Sequence, residues 1–197
     1  MDQSLPVLTT DRLFLRPPIA GDGPLLFHSL RASQKELSPW ISWVSAFQNA
    51  DQAESGVRQA YADFIDLKDL RFHLFEKRSR AFIGSVGLHG IKWEVPRMEI
   101  GYWLDSRYVN KGYMTEAVQS VIDYAFSTLH VHRLEIRCDP DNLKSRAIPE
   151  KLGFQLEAIL KENERRIGTP GFADTCIYTR FETNHTSPYQ STQKPKN

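Results

Sequence analysis

The stretch from Met98 to Leu129 constrains the fold of this chain more than any other part of its sequence. It opens with Met98–Leu104, which is apolar or aromatic at almost every position, as in a strand covered on both faces. From Thr115 onward, apolar residues recur at helical spacing and define one buried stripe. The members of this stripe are Ala117, Val118, Val121, Ile122, Ala125, Phe126 and Leu129. The stretch therefore predicts a strand, a tight loop and a helix.

The loop between this strand and this helix has the composition of an anion site. It reads Asn110-Lys111-Gly112-Tyr113, and Gly112 allows a backbone turn that points free N–H groups outward where the helix macrodipole is positive. Such N–H groups bind phosphate. An ordinary turn remains an alternative interpretation of one glycine before a helix. Neither GxxxxGK[ST] nor GxGxxG occurs in the chain, which disfavours a nucleotide triphosphatase and a dehydrogenase.

Length and charge set broad bounds on the chain. At 197 residues it has the size of one domain, and we expect that domain to span residues 1–183. Residues 184–197 are polar and have no apolar period, so we expect them to be disordered. Lys and Arg number 25 against 24 Asp and Glu. The resulting net charge of +1 gives no indication of a nucleic-acid partner.

The cysteines, the histidines and the N-terminal residues indicate a cellular setting. Cys138 and Cys176 are far apart and form no CxxC pair, so we expect two free thiols in a reducing compartment. The N-terminal residues lack a basic segment followed by an apolar run, and no stretch approaches about 18 consecutive apolar residues. The histidines show neither HxxxH nor HExxH spacing. We expect a soluble cytoplasmic protein that binds neither a metal nor a membrane.

Residue alternation and turn signals predict the remaining elements. The predicted strands are 11–17, 71–75, 81–88, 98–104, 133–138, 154–160 and 173–181, and the predicted helices are 21–30, 51–67, 115–129 and 142–152. This order indicates an α/β (α+β) fold whose mixed, mostly antiparallel sheet has about seven strands and is flanked by helices. Strand 133–138 should run parallel to 98–104, and a gap for a ligand can open between these two. A long loop, 162–172, should join the last two strands.

The predicted helix 142–152 contains a local conflict. Asp139 or Asp141 is available as its N-cap. Pro149 has no N–H and its ring presses on the carbonyl group of Ser145, which in a helix interior costs about 3 kcal/mol. The carbonyl of Ser145 would then be left without its helical partner. An early helix end at this position is an equally open interpretation.

Two segments resemble a known signature. The runs EIGYWLDSRYVNKGYMTEAV (99–118) and DPDNLKSRAIPEKLGF (139–154) resemble the acyl-coenzyme A signature of the GNAT acetyltransferases. Residues 10–16 resemble the T-x-R-L-x-L-R opening of the RimJ/RimL branch, the ribosomal-protein N-terminal acetyltransferases. The resemblance covers about residues 8–182. It implies the GNAT fold, in which a splayed parallel strand pair holds the pantetheine arm of acyl-CoA and the loop holds its pyrophosphate.

The resemblance also implies site residues. Acetyl-CoA would be bound by Trp103, Leu104, Asn110, Lys111, Gly112, Tyr113, Met114, Thr115, Asn142 and Ser145, with a backbone N–H of Trp103–Leu104 facing the developing oxyanion. Glu164 would be the base for the amine, with Glu157 and Glu162 as rivals. Many relatives have an acidic tyrosine where this chain has Pro149. Ser145 would therefore donate a hydrogen bond to the departing thiolate.

The acceptor is the least defined part of the prediction. Trp40, Trp43 and Phe47 fall close together, and Trp40 and Trp43 form a candidate acceptor wall, although aromatic clusters are more often core. An α-amine has a pKa of about 7.7–8.0, so it needs a base near neutral pH. We expect direct attack, in a ternary complex, by a protein or peptide N-terminal amine such as that of a ribosomal protein. A polyamine or antibiotic acetyltransferase and a non-catalytic acyl-CoA-binding module remain alternatives. Either a monomer or a homodimer is expected.

Overall fold

The computed structural model of the chain describes residues 5–182. Its strands are β1 (Leu8–Thr9), β2 (Leu13–Arg16), β3 (Leu70–Glu76), β4 (Phe82–Lys92), β5 (Arg97–Leu104), β6 (Arg133–Cys138), β7 (Gln155–Arg165) and β8 (Phe172–Phe181). Its α-helices are α1 (Gly23–Ala32), α2 (Gln34–Leu37), α3 (Ala50–Ile65), α4 (Tyr113–Ser127) and α5 (Leu143–Lys151). Two short 3₁₀ turns cover Ser42–Ser45 and Ser106–Tyr108.

All eight described strands join in one sheet, in the order β1-β2-β3-β4-β5-β6-β8-β7. Of the strand pairs within residues 5–182, only β5–β6 is parallel, and α4 makes the crossover between these two strands. The predicted mixed sheet and its parallel pair are confirmed. The strand that the prediction lacked is β1, which has two residues and is too short to show an alternating pattern.

The sheet is covered on both faces. Leu70, Phe72 and Leu74 of β3 point to one face, where they share the larger core with the apolar stripe of α4. The alternate residue Phe75 points to the other face, where it packs in a smaller core with Leu26 of α1. The predicted members of the α4 stripe from Ala117 to Ala125 are fully buried.

The helix that contains Pro149 corrects two expectations. Its N-cap is Asn142, whose side-chain oxygen accepts a hydrogen bond from the N–H of Ser145, so the choice of Asp139 or Asp141 was wrong. The early end was also wrong, because α5 continues to Lys151 through the proline.

The predicted loop 162–172 was wrong as well. Strand β7 continues to Arg165 because Glu164 and Arg165 pair with β8 beyond an irregular register near Leu160. The loop is therefore only residues 166–171, and Glu164 belongs to the strand. The predicted disordered tail, 184–197, lies outside the described residues.

Two further features bear on the expected setting. Cys138 and Cys176 both carry free thiols. Within residues 5–182, no helix combines the length and the apolar character that crossing a membrane requires.

A buried ionic network joins β2, α1 and β3. Arg16 donates two hydrogen bonds to the carboxylate of Asp22, both at 2.7 Å. Asp22 also accepts from the N–H of Ile19 at 3.1 Å and lies 2.8 Å from Nδ1 of His73. Burial alone would raise the pKa of Asp22, but the bonds from Arg16 and His73 outweigh it and hold that pKa well below its usual value. Asp22 is therefore ionised.

Replacing this buried carboxylate should destabilise the fold. Asp22→Asn leaves the partly buried charge of Arg16, whose side chain is 21% exposed, without its counter-ion, and removing one partner of a buried pair costs about 3–5 kcal/mol. We expect the melting temperature to fall by roughly 10 °C at neutral pH. The pKa of Asp22 is lower in the folded protein than its ordinary value of 3.8. The stability that the wild type has over Asp22→Asn is therefore fully present above that value and is lost progressively as the pH falls below it.

Thermal melts of both proteins between neutral pH and acid pH measure this difference. Asp11→Asn, at an exposed aspartate, is the matched control and should melt like the wild type. Equal melting temperatures of the wild type and Asp22→Asn at neutral pH would contradict the stabilising role of the ionised Asp22.

Candidate active site

The two parallel strands separate after three residue pairs. Arg97, Met98 and Glu99 of β5 pair with residues 133–135 of β6, and no pairing between these strands follows. Beyond this point β5 stays paired with β4 up to Leu104, and β6 stays paired with β8 up to Cys138. The strands therefore diverge and leave a wedge-shaped gap that widens toward their C-terminal ends.

Backbone polar groups of β5 border this gap. The N–H of Asp105 donates to the carbonyl of Ile83 at 2.9 Å, and the β4–β5 register is regular from Leu104 back to Glu99. Because bonded and non-bonded pairs alternate in an antiparallel ladder, Trp103 exchanges bonds with β4, whereas Tyr102 and Leu104 direct theirs toward the gap. Leu104 thus has the orientation expected for the oxyanion donor, and the N–H of Trp103 does not.

The loop at the start of α4 forms an open cradle. Gly112 is the N-cap residue and adopts a left-handed conformation with φ 77°, and Asn110 has φ 61°. No side chain caps this end of α4. The first-turn N–H groups, which belong to Tyr113, Met114 and Thr115, have no partner within the helix. These N–H groups and the helix dipole favour an anion. Asn110 and Lys111 are exposed at its rim, whereas the Met114 side chain is buried beneath it.

Two residues in the connection between β1 and β2, Thr10 and Arg12, hold the cradle in place. Glu116 of α4 accepts a hydrogen bond from the Thr10 hydroxyl at 2.5 Å and one from Nε of Arg12 at 2.6 Å. Arg12 also donates to the carbonyl of Lys111 at 2.8 Å and stacks over the Tyr113 ring. Residues 10–16, which resemble the opening of the RimJ/RimL branch, therefore contain the two side chains that tie this loop and the start of α4 to the sheet.

Two hydroxyl groups, one on β5 and one on α5, meet beside the gap. The Tyr102 hydroxyl donates to the carbonyl oxygen of Ser145 at 3.0 Å, so the carbonyl that Pro149 releases is satisfied. The Ser145 hydroxyl lies 3.3 Å from the Tyr102 oxygen. Burial raises the pKa of the Tyr102 hydroxyl. Burial also raises the pKa of the nearby Cys138 thiol to about 12. Both groups stay protonated near neutral pH.

Sequence reasoning missed Tyr102 as a residue of the gap. Two signals were available: Tyr102 follows the buried Met98 and Ile100 at two-residue intervals and so shares their face of β5, and the carbonyl freed by Pro149 required a donor. Asn142 lies beside this pair, and its side-chain oxygen is already engaged in capping α5. Its amide N–H₂ group is the part that can bind another molecule.

A second concave site lies on the opposite face of β5. This cleft has a volume of about 160 Å³ and is lined by Leu26, Trp43, Phe47, Gly56, Val57, Ala60, Arg71, His73, Ser85 and Trp103. Trp43 meets the Trp103 ring edge-on, with centroids 6.4 Å apart. Trp43 is 40% exposed and Trp40 is 39% exposed. Of the two predicted wall residues, the structure places Trp43 in the cleft and Trp40 outside its lining.

The three candidate carboxylates differ in their surroundings. Glu164 pairs with Ala173, three residues beyond the end of the β6–β8 ladder at Cys176, so it lies toward the wide end of the gap. Its side chain is exposed and accepts from the amide of Asn163 at 3.3 Å. Glu157 is held by Arg133 at 2.7 Å. Glu162 is exposed on the same strand.

These features define what the site can do chemically. An anion fits the cradle, an extended chain fits the gap along unpaired backbone groups, and hydroxyl groups lie at its inner wall. Among residues 5–182, no three His, Cys, Asp or Glu side chains come together as metal ligands.

Comparison with known proteins agrees with this geometry. The profile of the acetyltransferase (GNAT) domain matches residues 12–155. The uncharacterized N-acetyltransferase p20 of Bacillus licheniformis is 31% identical over 161 residues, which cover 82% of this chain and 89% of that protein. The putative ribosomal N-acetyltransferase YdaF of Bacillus subtilis is 30% identical over 148 residues, covering 75% and 77%.

A solved structure shows the same likeness in three dimensions. The microcin C7 self-immunity acetyltransferase MccE, in complex with acetyl-CoA and AMP, superposes with a TM-score of 0.81 at 25% identity, over 88% of this chain and 94% of that one. The chain thus belongs to the GNAT acetyltransferases.

Proposed function

We propose that this enzyme transfers the acetyl group of acetyl-CoA to the N-terminal amine of a protein or peptide, by direct attack within a ternary complex. The observation that carries the proposal is the gap between β5 and β6, because its unpaired backbone groups lead from the cradle of α4 to the hydroxyl pair at α5. An apolar substrate would not require this row of polar groups.

The residues around the gap fit acetyl-CoA. The pyrophosphate would lie on the N–H groups of residues 113–115, beside Asn110 and the positive charge of Lys111. The pantetheine amides would pair with the backbone of β5 and with the amide of Asn142. Acetyl-CoA supplies the thioester, and the N–H of Leu104 would face the position where its carbonyl oxygen gains charge.

Two side chains would handle protons. Glu164 would remove a proton from the acceptor ammonium and leave the lone pair for attack on the thioester carbon. Ser145 would donate a hydrogen bond to the thiolate as the carbon–sulfur bond breaks. Its present bond to Tyr102 is long for two hydroxyl groups, so exchanging it for the sulfur costs little.

The choice of a peptide acceptor rests on the RimJ/RimL resemblance and on the likeness to YdaF, whose name describes a ribosomal N-acetyltransferase. The same fold accepts many different amines, so a small-molecule acceptor is the second candidate. Release of free CoA thiol with a panel of peptides, polyamines and aminated antibiotics distinguishes the two. A non-catalytic acyl-CoA-binding module would release none with any amine.

The cradle can be tested through Gly112. A β-branched residue is strained at a φ of 77°, so Gly112→Val should distort the N–H groups that bind the pyrophosphate. Acetyl-CoA should raise the melting temperature of the wild type by mass action and raise that of Gly112→Val much less.

Gly90→Val is the matched control for this test. Gly90 also has a positive φ, 57°, and it lies at the opposite end of β5 from the cradle. The strain is similar there, but the acetyl-CoA shift should survive. Equal shifts in the two variants would place the cofactor elsewhere.

The base can be tested through Glu164. General bases contribute roughly 10²–10⁴-fold, so Glu164→Gln should lower kcat on that scale while leaving the Kd for acetyl-CoA unchanged. Raising the pH above about 8 should partly restore kcat, because the amine then loses its proton to solvent. Glu162→Gln is the control. Full kcat for Glu164→Gln at neutral pH, or a larger loss for Glu162→Gln, would sink the assignment.

The leaving-group contact can be tested through Ser145. Ser145→Ala removes one hydrogen bond to the thiolate, so kcat should fall about tenfold with little change in the KM for acetyl-CoA. Ser55→Ala, on the exposed side of α3, should behave like the wild type in steady-state kinetics. An unchanged kcat for Ser145→Ala would contradict this role of Ser145 and leave the hydrogen bond to the thiolate to water.

A further inference from the structure

The cleft beside Trp103 contains a histidine that the acetyl-transfer scheme leaves unused. His73 is 2% exposed, and its pKa is lowered by burial, which outweighs the bond to Asp22. The imidazole is therefore neutral at neutral pH. A buried neutral histidine keeps one nitrogen as a donor and the other as an acceptor.

The partner of Nδ1 decides which nitrogen is the acceptor. Asp22 is ionised and can only accept hydrogen bonds, so the 2.8 Å contact requires the proton to be on Nδ1 of His73. Nε2 then carries a lone pair. The two bonds from Arg16 to Asp22 hold the carboxylate, and the carboxylate in turn holds the imidazole in this tautomer.

Nε2 opens into the cleft. It has no hydrogen-bond partner among residues 5–182, and no polar side-chain atom in this range is both shielded from solvent and without a bond. The small surface that His73 retains therefore includes Nε2. His73 lines the cleft, so an acceptor nitrogen lies at its wall and is available to a ligand.

The size and the walls of the cleft favour a ring. An engineered apolar cavity of roughly 150 Å³ is known to bind benzene, and this cleft has about 160 Å³. Trp43, Phe47 and Trp103 supply aromatic walls. Gly56 contributes by its lack of a side chain, since a Cβ there would meet the Phe47 ring at 2.9 Å.

The charges around the cleft disfavour a cation. Arg71 lines it and is half-exposed, with Asp69 3.4 Å away. Asp22 is already neutralised by Arg16, so His73 sits in no net negative field. An uncharged donor therefore suits Nε2 better than the second ammonium group of a polyamine.

The distance to the gap shows which part of an acceptor would reach His73. His73, Ser85 and Trp103 face one another in register across β3, β4 and β5. Neighbouring strands are about 4.8 Å apart, so His73 lies roughly 10 Å from the β5 backbone that borders the gap. Direct proton transfer needs heavy atoms about 3 Å apart, so His73 is not the base. It contacts a group several bonds from the reacting amine.

We propose that this cleft is a specificity pocket for an uncharged aromatic ring carrying a hydroxyl group, located near the acceptor amine, with His73 Nε2 accepting the hydrogen bond from that hydroxyl. The inference rests on the proposed acetyl transfer for the role of the amine, but not for the binding of the ring. A tyrosine side chain at the acceptor N-terminus and a hydroxyphenyl alkylamine both have this chemistry.

Binding can be measured without turnover. The probes are 4-ethylphenol and ethylbenzene, which differ by one hydroxyl group, and the signal is the change in tryptophan fluorescence, to which Trp43 and Trp103 contribute from the walls of the cleft. We expect the wild type to bind 4-ethylphenol roughly tenfold more tightly, the value of one neutral hydrogen bond. His73→Phe should bind the two probes equally. His28→Phe, at an exposed histidine of α1, should keep the preference.

A measurement on the unaltered protein covers the case in which His73→Phe does not fold. The ¹⁵N resonance of His73 Nε2 should shift on addition of 4-ethylphenol and stay in place with ethylbenzene. Equal affinity of the wild type for both probes, no binding of either, or a preference that survives in His73→Phe would each overturn the proposal.

Acetylation of tyramine and phenethylamine then connects the pocket to the reaction. We expect kcat/KM to favour tyramine roughly tenfold in the wild type and neither amine in His73→Phe. Equal values in the wild type would overturn the acceptor role of the pocket while leaving the acetyltransferase proposal intact. Selective binding of 4-ethylphenol, with no release of CoA thiol from acetyl-CoA in the presence of any amine, would instead refute the acetyl transfer and support the pocket.

Discussion

The separation of β5 from β6 is the constraint on which the rest of the site depends. Each of the two strands pairs more extensively with its other neighbour: β5 pairs with β4 over six consecutive residues, and β6 pairs with β8 over its whole length. Their own parallel contact ends after three pairs. Backbone groups left unpaired inside a sheet require other partners. An elongated ligand with amide groups can supply them, and the arm of acetyl-CoA has this chemistry under the function proposed above.

Ion pairs fix the point where the two strands part. Glu135 on β6 is 3% exposed and accepts from Arg97 of β5 at 3.3 Å as well as from Arg133 and Arg137. Arg137 also reaches Glu99 of β5 at 3.4 Å. Charges that cross from one strand to the other hold the closed end of the gap together. Farther along the gap, two hydrogen bonds between Tyr102 and Ser145 join β5 to α5 instead of to β6. The ion pairs between β5 and β6 therefore lie at the closed end of the gap, where the three parallel pairs are.

Most of the fold could be predicted from local sequence patterns, and the features that could not be predicted depend on partners distant in sequence. The stripe of α4 and the strand Arg133–Cys138 were predictable because one period or one apolar run defines each. Glu164 was assigned to a loop because the irregular register near Leu160 hides the strand pattern. The Tyr102 contact to α5 and the Asp22 bond to His73 join residues 43 and 51 positions apart. No local spacing rule detects such pairs, and Pro149 was the one local signal that required a distant donor.

Strand alternation also explains how one strand serves two sites. Trp103 sends its side chain to the cleft that it lines with Trp43, whereas its neighbours Tyr102 and Leu104 direct their backbone groups to the gap. The other residues of the cleft come from α1, α3, β3, β4 and the segment 43–47, none of which borders the gap. Substitutions in those elements would therefore change the cleft while leaving the cradle and the gap in place. In the part of the chain that the structure describes, Trp103 is the one lining residue of the cleft that lies on β5, and it is flanked by Tyr102 and Leu104, so β5 is the element that the cleft and the gap share.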